Sequence, residues 1–218
     1  MNIKKTLALM FLKNISITAW LVLANIIFFI LIYSLTFAFG ESFLNYIAIK
    51  PSFILQGKYL WTFITSMFMH ANLTHLLVNM ISLFFIGSFA ERLIGRKRFF
   101  LLYLISGITA GLLFVIVGLF GFNIDVSAVG ASGALFGIAG LLAVITPRLP
   151  VMVFFIIPMP MWLAVISLLV ILWLLSAFAG LPIGNVAHLG GLITGVVYGF
   201  YLRHKYKKKV KLIEKYFR

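Results

Sequence analysis

The chain of 218 residues contains no cysteine, and only four of its residues are acidic. Without cysteine it has no disulfide framework, no thiolate metal ligand and no cysteine nucleophile. Charged residues make up 10% of the chain, against about 25% in a typical soluble domain. Hydrophobic residues reach 63%, and no soluble fold hides that much apolar surface. The composition therefore excludes soluble and disordered proteins and indicates a multi-span membrane protein.

Most of the charged residues are basic: the chain has 18 Lys plus Arg and a formal net charge of +14. They lie at the ends of apolar runs, and the densest cluster is 203–218. This distribution is typical of juxtamembrane segments that meet anionic lipid headgroups, and it argues against nucleic acid as a partner. Residues 1–16 imitate a signal peptide, but Lys13 interrupts the apolar run and no cleavage pattern follows. We interpret them as a lead-in to an uncleaved first span.

About 20 apolar residues are needed for a helix to cross a bilayer. On this criterion we predict spans near 17–39, 70–89, 99–121, 131–146, 160–179 and 187–202. The segment 41–69 is too polar to span and too apolar for an ordinary loop, so we expect it in or on the membrane interface. Pro158 and Pro160 break the next apolar run, so the fifth helix is predicted to start after them. Residues 151–157 are expected to be extended or interfacial.

Six spans place both termini on one side of the membrane. With the N-terminus cytoplasmic, only Lys50 and Lys58 of the 18 basic residues fall outside. The positive-inside rule therefore predicts cytoplasmic termini. We expect one six-span domain over 17–202, followed by a basic cytoplasmic tail over 203–218.

Three groups of polar residues fall inside the predicted spans, where lipid makes them costly unless they serve a purpose. They are His70, His75 and Asn79 in the second helix, Ser132 between Gly130 and Gly133 in the fourth, and His188 before Gly191 and Gly195 in the sixth. These three helices run in the same direction, so Ser132, His75 and His188 are expected at similar depth. The glycines allow helices four and six to approach closely. The pattern predicts a Ser hydroxyl within hydrogen-bond reach of a His ring, as an activated nucleophile requires.

Each of these residues also has a purely structural interpretation. A Ser flanked by Gly usually serves helix packing, a buried His is more often hydrogen-bonded structure, and Asn79 alone would cross-link helices. None of the four acids lies near the pattern, so a catalytic dyad is what the sequence permits. Phe136, one turn after Ser132, is suited to stack on the His188 ring. No HExxH occurs, and the five-residue step from His70 to His75 is expected to splay the rings apart, so no metal or cofactor is predicted.

From about Trp61 to Tyr201 the chain resembles the rhomboid family of intramembrane serine proteases. The resemblance rests on four blocks in the family's order: WTFITSMFMHANLTHLLVNM, ERLIGRKRFFLLYLISG, GASGALFG and AHLGGLITG. It implies an all-α bundle of six transmembrane helices with 41–69 as a membrane-embedded first external loop. It also implies that transmembrane proteins are the substrates. We expect the chain to be an integral multi-pass protein of a prokaryotic cell membrane.

The same resemblance implies a role for individual residues. Ser132 matches the nucleophile and His188 its general base, while His75, Asn79 and the backbone N–H at Ser132 match the groups that bind the oxyanion. His70 matches a motif histidine with a less direct role, and Phe136 stands where the family often has Tyr. Gly130, Gly133, Gly191 and Gly195 are supporting positions in the matched blocks.

Two other functions remain open at this point. A catalytically inactive rhomboid-like protein would bind or chaperone membrane clients, although such proteins lose the Ser or the His. A transporter or channel would need a continuous polar path, whereas the inner halves of these spans are almost wholly apolar. For a protease, lateral substrate entry requires a movable wall, and we predict that helix five moves, with 181–186 (LPIGNV) as a cap over His188.

Overall fold

The structure, a computed structural model, describes residues 15–120, 125–154, 156–179 and 184–217. Most of the predicted lead-in 1–16 and part of the predicted cap 181–186 lie outside the described residues. The main elements are α1 (Ile17–Phe39), α2 (Leu73–Ile94), α3 (Arg96–Phe120), α4 (Ser132–Ile145), β1 (Pro150–Val153), β2 (Ile157–Pro160), α5 (Met161–Ala179), α6 (Asn185–Lys205) and α7 (Lys207–Tyr216). Of these, α1, α2, α3 and α5 are long and apolar enough to cross a membrane. The helical membrane bundle expected from the sequence is confirmed.

The boundaries of α2 differ from the prediction of 70–89 for physical reasons. The helix begins at Leu73 because the Asn72 side chain accepts a hydrogen bond from the backbone N–H of His75. It ends at Ile94 because Gly95 takes a φ of 84°, a conformation that favours glycine. His70 therefore precedes the helix, and the helix continues beyond the predicted membrane span to Ile94.

Helix α4 is the centre of the bundle, with nearly all of its residues buried. A Cβ on Gly191 would overlap the carbonyl oxygen of Gly133, and one on Gly195 would overlap that of Gly137. The backbones of α4 and α6 are therefore in direct contact, as the glycine spacing predicts. This contact brings the first turns of the two helices together.

The segment 41–69 folds into three short helices, Glu41–Tyr46, Pro51–Leu55 and Thr62–Thr65. The Trp61 indole N–H donates to the Tyr46 carbonyl at 2.8 Å, and the Tyr59 ring packs edge-on between these two residues. Leu55 is 68% exposed on the surface of this segment. An ordered, aromatic and partly apolar surface is typical of a segment at a membrane interface.

The described part of the tail predicted over 203–218 is largely helical and packs against the end of the bundle. Helix α6 runs to Lys205, three residues beyond the predicted end at 202. Arg203 donates to the Val144 carbonyl at 3.0 Å and forms a 2.9 Å ion pair with Glu214 of α7. Val210 is buried, so α7 is a docked helix rather than a free tail.

The carboxylate of Glu91 holds the start of α1 from the far end of α2. It accepts the backbone N–H of Ile17 and of Thr18 at 2.8 Å each, and the Thr18 hydroxyl at 2.7 Å. These N–H groups have no partner within their own helix, so the buried carboxylate satisfies donors that lipid cannot. Glu91 is therefore a cap supplied by a different helix.

We expect Glu91→Gln to destabilise the protein by about 1–3 kcal/mol, because its amide NH2 would replace an acceptor and leave a buried donor unpaired. Thermal unfolding in detergent measures the loss, and Glu41→Gln is the matched control because that acid is exposed. Equal midpoints for the two variants would contradict this role for Glu91.

Candidate active site

The turn that leads into α4 is held by the segment 41–69. Ile49 and Ala128 exchange two backbone hydrogen bonds of 3.1 and 2.9 Å, and the Gly130 N–H donates to the Ser66 carbonyl at 2.8 Å. These bonds clamp the backbone on both sides of residue 129. The position of Ser132, two residues after Gly130, therefore depends on the loop as well as on the helices.

An ion pair at the surface also links the segment 41–69 to the turn before α4. Asp125 lies 3.3 Å from the Lys50 ammonium and accepts the backbone N–H of Ser52 at 2.9 Å. Burial acts to raise the pKa of Asp125, but the hydrogen bond from Ser52 and the charge of Lys50 outweigh it and lower the pKa below its usual value. The carboxylate is therefore ionised at neutral pH and keeps its contacts with the loop.

Ser132 and His188 meet at the start of their helices. Ser132 is the first residue of α4, and His188 is the fourth residue of α6. Their Oγ and Nε2 atoms lie 2.8 Å apart, a hydrogen-bond distance. The His188 ring is 6% exposed, so little solvent competes for this contact. This is the geometry in which a histidine can take a proton from a serine hydroxyl.

The His188 ring is oriented by stacking rather than by a carboxylate. Phe136 lies one turn below Ser132, and its ring centroid is 4.6 Å from that of His188 with 23° between the planes. Among the described residues, His188 Nδ1 has no hydrogen-bond partner. Within the described part of the chain, the contact between Ser132 and His188 therefore has no carboxylate behind it.

His75 lies against the turn on the other side of Ser132. Gly130 has a φ of 130°, and a Cβ there would lie 2.8 Å from Cε1 of His75 and 3.6 Å from Oγ of Ser132. Both side chains therefore border the same small volume beside the Gly130 backbone. Glycine is required at this position for its conformation and for the close approach of the His75 ring.

The His70 and His75 rings are close to each other, so the expected splay is wrong. Their centroids are 5.1 Å apart with 72° between the planes. The helical step does not apply, because His70 precedes α2 and lies on the turn before it. His70 is fully buried, and its two ring nitrogens have no partner within the described part of the chain. No group of three His, Asp or Glu residues with metal-binding geometry occurs among those residues.

Asn79 lies one turn after His75 and is 4% exposed. Its amide NH2 donates to the His75 carbonyl at 3.0 Å. This bond is within α2, so it fixes the amide beside His75 without reaching Ser132.

The fully buried residues of helix α5 are confined to its start. Its buried residues are Met161, Ala164 and Val165, all in the first two turns. Near the other end, Phe178 is 85% exposed. In the middle part of α5, the Leu172 carbonyl accepts a long hydrogen bond of 3.4 Å from the amide of Asn185. Sequence reasoning missed Asn185 as a contact of α5, although its position three residues before His188 places it near that face of α6.

Comparison with known proteins identifies the family. The Rhomboid domain model matches residues 57–205, more than half of the chain. RHOMBOID-like protein 1 of Arabidopsis thaliana is 36% identical over 154 residues, which cover 70% of this chain and 37% of that protein. Rhomboid protease GluP of Bacillus subtilis is 33% identical over 159 residues, covering 71% of this chain and 28% of that protein.

Putative rhomboid protease YdcA of Bacillus subtilis is 34% identical over 159 residues, covering 72% of this chain and 73% of that protein. By contrast, the chain spans less than half the length of the four plant relatives RHOMBOID-like protein 1, 6, 2 and 4. The matched region includes α2 to α6, and with them Ser132, His188, His75 and Asn79. The chain is an integral membrane protein and belongs to the rhomboid family.

Proposed function

We propose that the chain is an intramembrane serine endopeptidase that cleaves transmembrane proteins near the outer membrane face through Ser132 and His188. The observation that carries the proposal is the 2.8 Å contact between Ser132 Oγ and His188 Nε2. Family membership supports the same activity, since two of the relatives are named as rhomboid proteases.

The reaction begins with a proton transfer from Ser132 to His188. Nε2 must be unprotonated to accept it, so the neutral ring carries its proton on Nδ1. Ser132 Oγ then attacks a peptide carbonyl, and a tetrahedral oxyanion forms. His188 returns the proton to the leaving amine, and water later hydrolyses the acyl-enzyme by the same route. Stacking on Phe136 keeps the ring in place through both steps.

The oxyanion needs donors on the side of Ser132 away from His188. The backbone N–H of Ser132 is at the N-terminus of α4, where the helix dipole favours negative charge. The His75 ring borders the volume beside Gly130 and supplies a side-chain donor there. We assign Asn79 as the third donor, which it becomes when its amide leaves the His75 carbonyl.

The length of α4 supports a site below the membrane surface. Its 14 residues extend about 21 Å, whereas the hydrocarbon core is about 30 Å thick. A helix this short cannot reach both faces of the membrane, and we place the end that lies inside the membrane at its first residue, Ser132. The exposed polar residues Asn72, Thr74 and Ser127 are placed to line a water-filled opening above it.

The depth of the site determines which substrates fit. A substrate helix protects its own peptide bonds by hydrogen bonding, so it must unwind before Ser132 can attack. Substrates are therefore expected to have small or helix-breaking residues near the outer interface. When Ser132 lies near the outer face, α7 lies on the cytoplasmic side of the membrane. Its exposed lysines then meet anionic lipid headgroups of the inner leaflet.

The proposal is tested by labelling the detergent-solubilised protein with a fluorescent fluorophosphonate, which reacts with activated serines. We expect the full chain to be labelled and Ser132→Ala to lose the label completely. Ser34→Ala, which removes an exposed serine on α1, should keep it. Absence of labelling in the unmodified chain would favour an inactive client-binding protein instead.

A second prediction concerns Asn79. We expect Asn79→Ala to lower turnover roughly 10–10³-fold while the protein remains folded, because one oxyanion donor among several is lost. Steady-state cleavage of a transmembrane substrate measures the effect, with the melting temperature as the control for folding. Unchanged kinetics would show that Asn79 serves packing within α2.

A further inference from the structure

The connection between α4 and α5 is an apolar β-hairpin at the end of the bundle where α7 docks. Its strands pair antiparallel, with Pro150 opposite Pro160 and Val153 opposite Ile157. The side chains of Met152, Phe154, Ile156 and Ile157 are 54%, 48%, 75% and 49% exposed. No Lys, Arg, Asp or Glu occurs between Arg148 and Arg203. A hairpin in water normally has a polar solvated face, and this one has none.

The register shows which backbone N–H groups point away from the hairpin. The Met161 N–H donates to the Leu149 carbonyl at 2.9 Å, so residues 149 and 161 form a hydrogen-bonded pair. In an antiparallel ladder such pairs alternate with pairs whose N–H groups point outward. The outward positions in this register are therefore 150, 152, 158 and 160.

Prolines occupy 150, 158 and 160, and proline has no N–H. Met152 is then the single residue of these four that still presents a donor at a strand edge. A protein partner that added a strand would need those donors, so the prolines block β-strand addition. Lipid offers no acceptor for an edge N–H, so the same prolines remove groups that could not be satisfied there.

We propose that the hairpin of β1 and β2 is inserted into the lipid leaflet on the α7 side, at the boundary between headgroups and acyl chains. The exposed apolar surface continues directly from the hairpin into α5, where Trp162 and Ile166 are 47% and 52% exposed. Arg148, just before β1, is exposed and marks the level of the headgroups. Four residues per strand extend about 13 Å, enough to reach the acyl chains from that level.

The inserted hairpin also anchors the start of α5. The N–H groups of Met161 and Trp162 donate to the carbonyls of Leu149 and Pro147 at 2.9 and 3.2 Å. The first turn of α5 is thus bonded to the base of the hairpin. Lipid around the hairpin therefore holds the end of α5 that is farther from Ser132.

The test uses the natural absence of cysteine in the full chain. Ile156→Cys is labelled with bimane and the protein is reconstituted in vesicles of phosphatidylcholine and phosphatidylglycerol. Quenching by a nitroxide on the lipid acyl chain is compared with quenching by aqueous iodide. Val170→Cys, exposed on α5, is the lipid standard, and Lys208→Cys, exposed on α7, is the water standard.

We expect the label at position 156 to lose fluorescence to the acyl-chain nitroxide as strongly as the label at 170, and to resist iodide. Met152→Cys, on the same hairpin, should behave alike and guards against a defect specific to one variant. Quenching by iodide equal to that at 208 would overturn the proposal, because the hairpin would then lie in water. Protection from both quenchers would also overturn it, because protein would then cover the hairpin.

Discussion

We expect Ser132→Ala and His188→Ala each to abolish cleavage of a model transmembrane substrate, with turnover falling roughly 10⁴-fold or more. Ser132→Ala lacks the attacking oxygen, and His188→Ala lacks the base that accepts its proton. Each variant therefore leaves the remaining residue unable to catalyse the reaction alone. The 2.8 Å contact between Oγ and Nε2 makes them one unit. The double variant should therefore be no slower than either single variant, since effects within one unit are not additive.

The controls for this result are a serine and a histidine outside the site. Ser34→Ala and His204→Ala change exposed residues of α1 and α6, so both variants should cleave at near the unmodified rate. Melting temperatures measured for all four single variants separate loss of chemistry from loss of folding. Near-normal turnover in Ser132→Ala or His188→Ala would show that the dyad assignment is wrong.

The approach of Ser132 to His188 follows from features that a sequence displays directly. Both residues open a helix, and the glycines at 133, 137, 191 and 195 have the four-residue spacing of a helix contact. The spacing determines which faces meet, because residues four apart share one side of a helix. Phe136 on the face of Ser132 follows from the same period. Local periodicity was therefore sufficient for this part of the site.

The contacts that depend on distant loops were not predictable in this way. The clamp of Gly130 on Ser66 and the bridge between Ile49 and Ala128 join segments more than 60 residues apart. The closeness of His70 to His75 depends on where α2 begins, which the Asn72 cap decides. Cap geometry shifts a boundary by a few residues, and here that shift reversed the expected placement of a ring.

The β-hairpin and the docking of α7 are two further features that the sequence did not predict fully. The prolines at 158 and 160 correctly predict a break before α5, and the extended character of 151–157 was an expectation. Strand pairing within 150–160 was not predicted, because an apolar run without alternation carries no period that indicates a strand. The docking of α7 was missed for a related reason. Its many lysines conceal the single buried Val210 and the pairing of Glu214 with Arg203.

Helix α5 is the part of the wall with the fewest constraints near Ser132. Its buried residues are confined to the first two turns, where the hairpin also holds it. Beyond those turns, the long hydrogen bond from Asn185 to the Leu172 carbonyl links α5 to α6, and Asn185 Oδ1 has no partner within the described residues. A helix fixed at one end and loosely held at the other can swing outward. We propose this motion as the lateral entry for substrates.

Phe178→Ala is expected to raise cleavage or leave it intact, because the side chain is 85% exposed and its loss removes no packing from the core. A larger effect on cleavage is expected when the outward movement of α5 is prevented. Val78→Cys on α2, combined in turn with a cysteine replacing Ile171, Leu174 or Phe178, provides a series of possible tethers across the proposed opening. The chain has no other cysteine, so a disulfide within one monomer of any variant is the intended one, and a non-reducing gel separates it from disulfides between two chains.

For each pair that forms a disulfide, we expect cleavage of a transmembrane substrate to be lost and then restored by a reducing agent. Labelling of Ser132 by a small fluorophosphonate should persist in the oxidised state, because that reagent reaches the site from water without moving α5. Loss of both activities would mean that the tether distorts the dyad, so the two readouts separate a closed entry from a damaged site. Full-rate cleavage by an oxidised, tethered protein would end the proposal for α5, and substrate entry would then have to lie beside the segment 41–69.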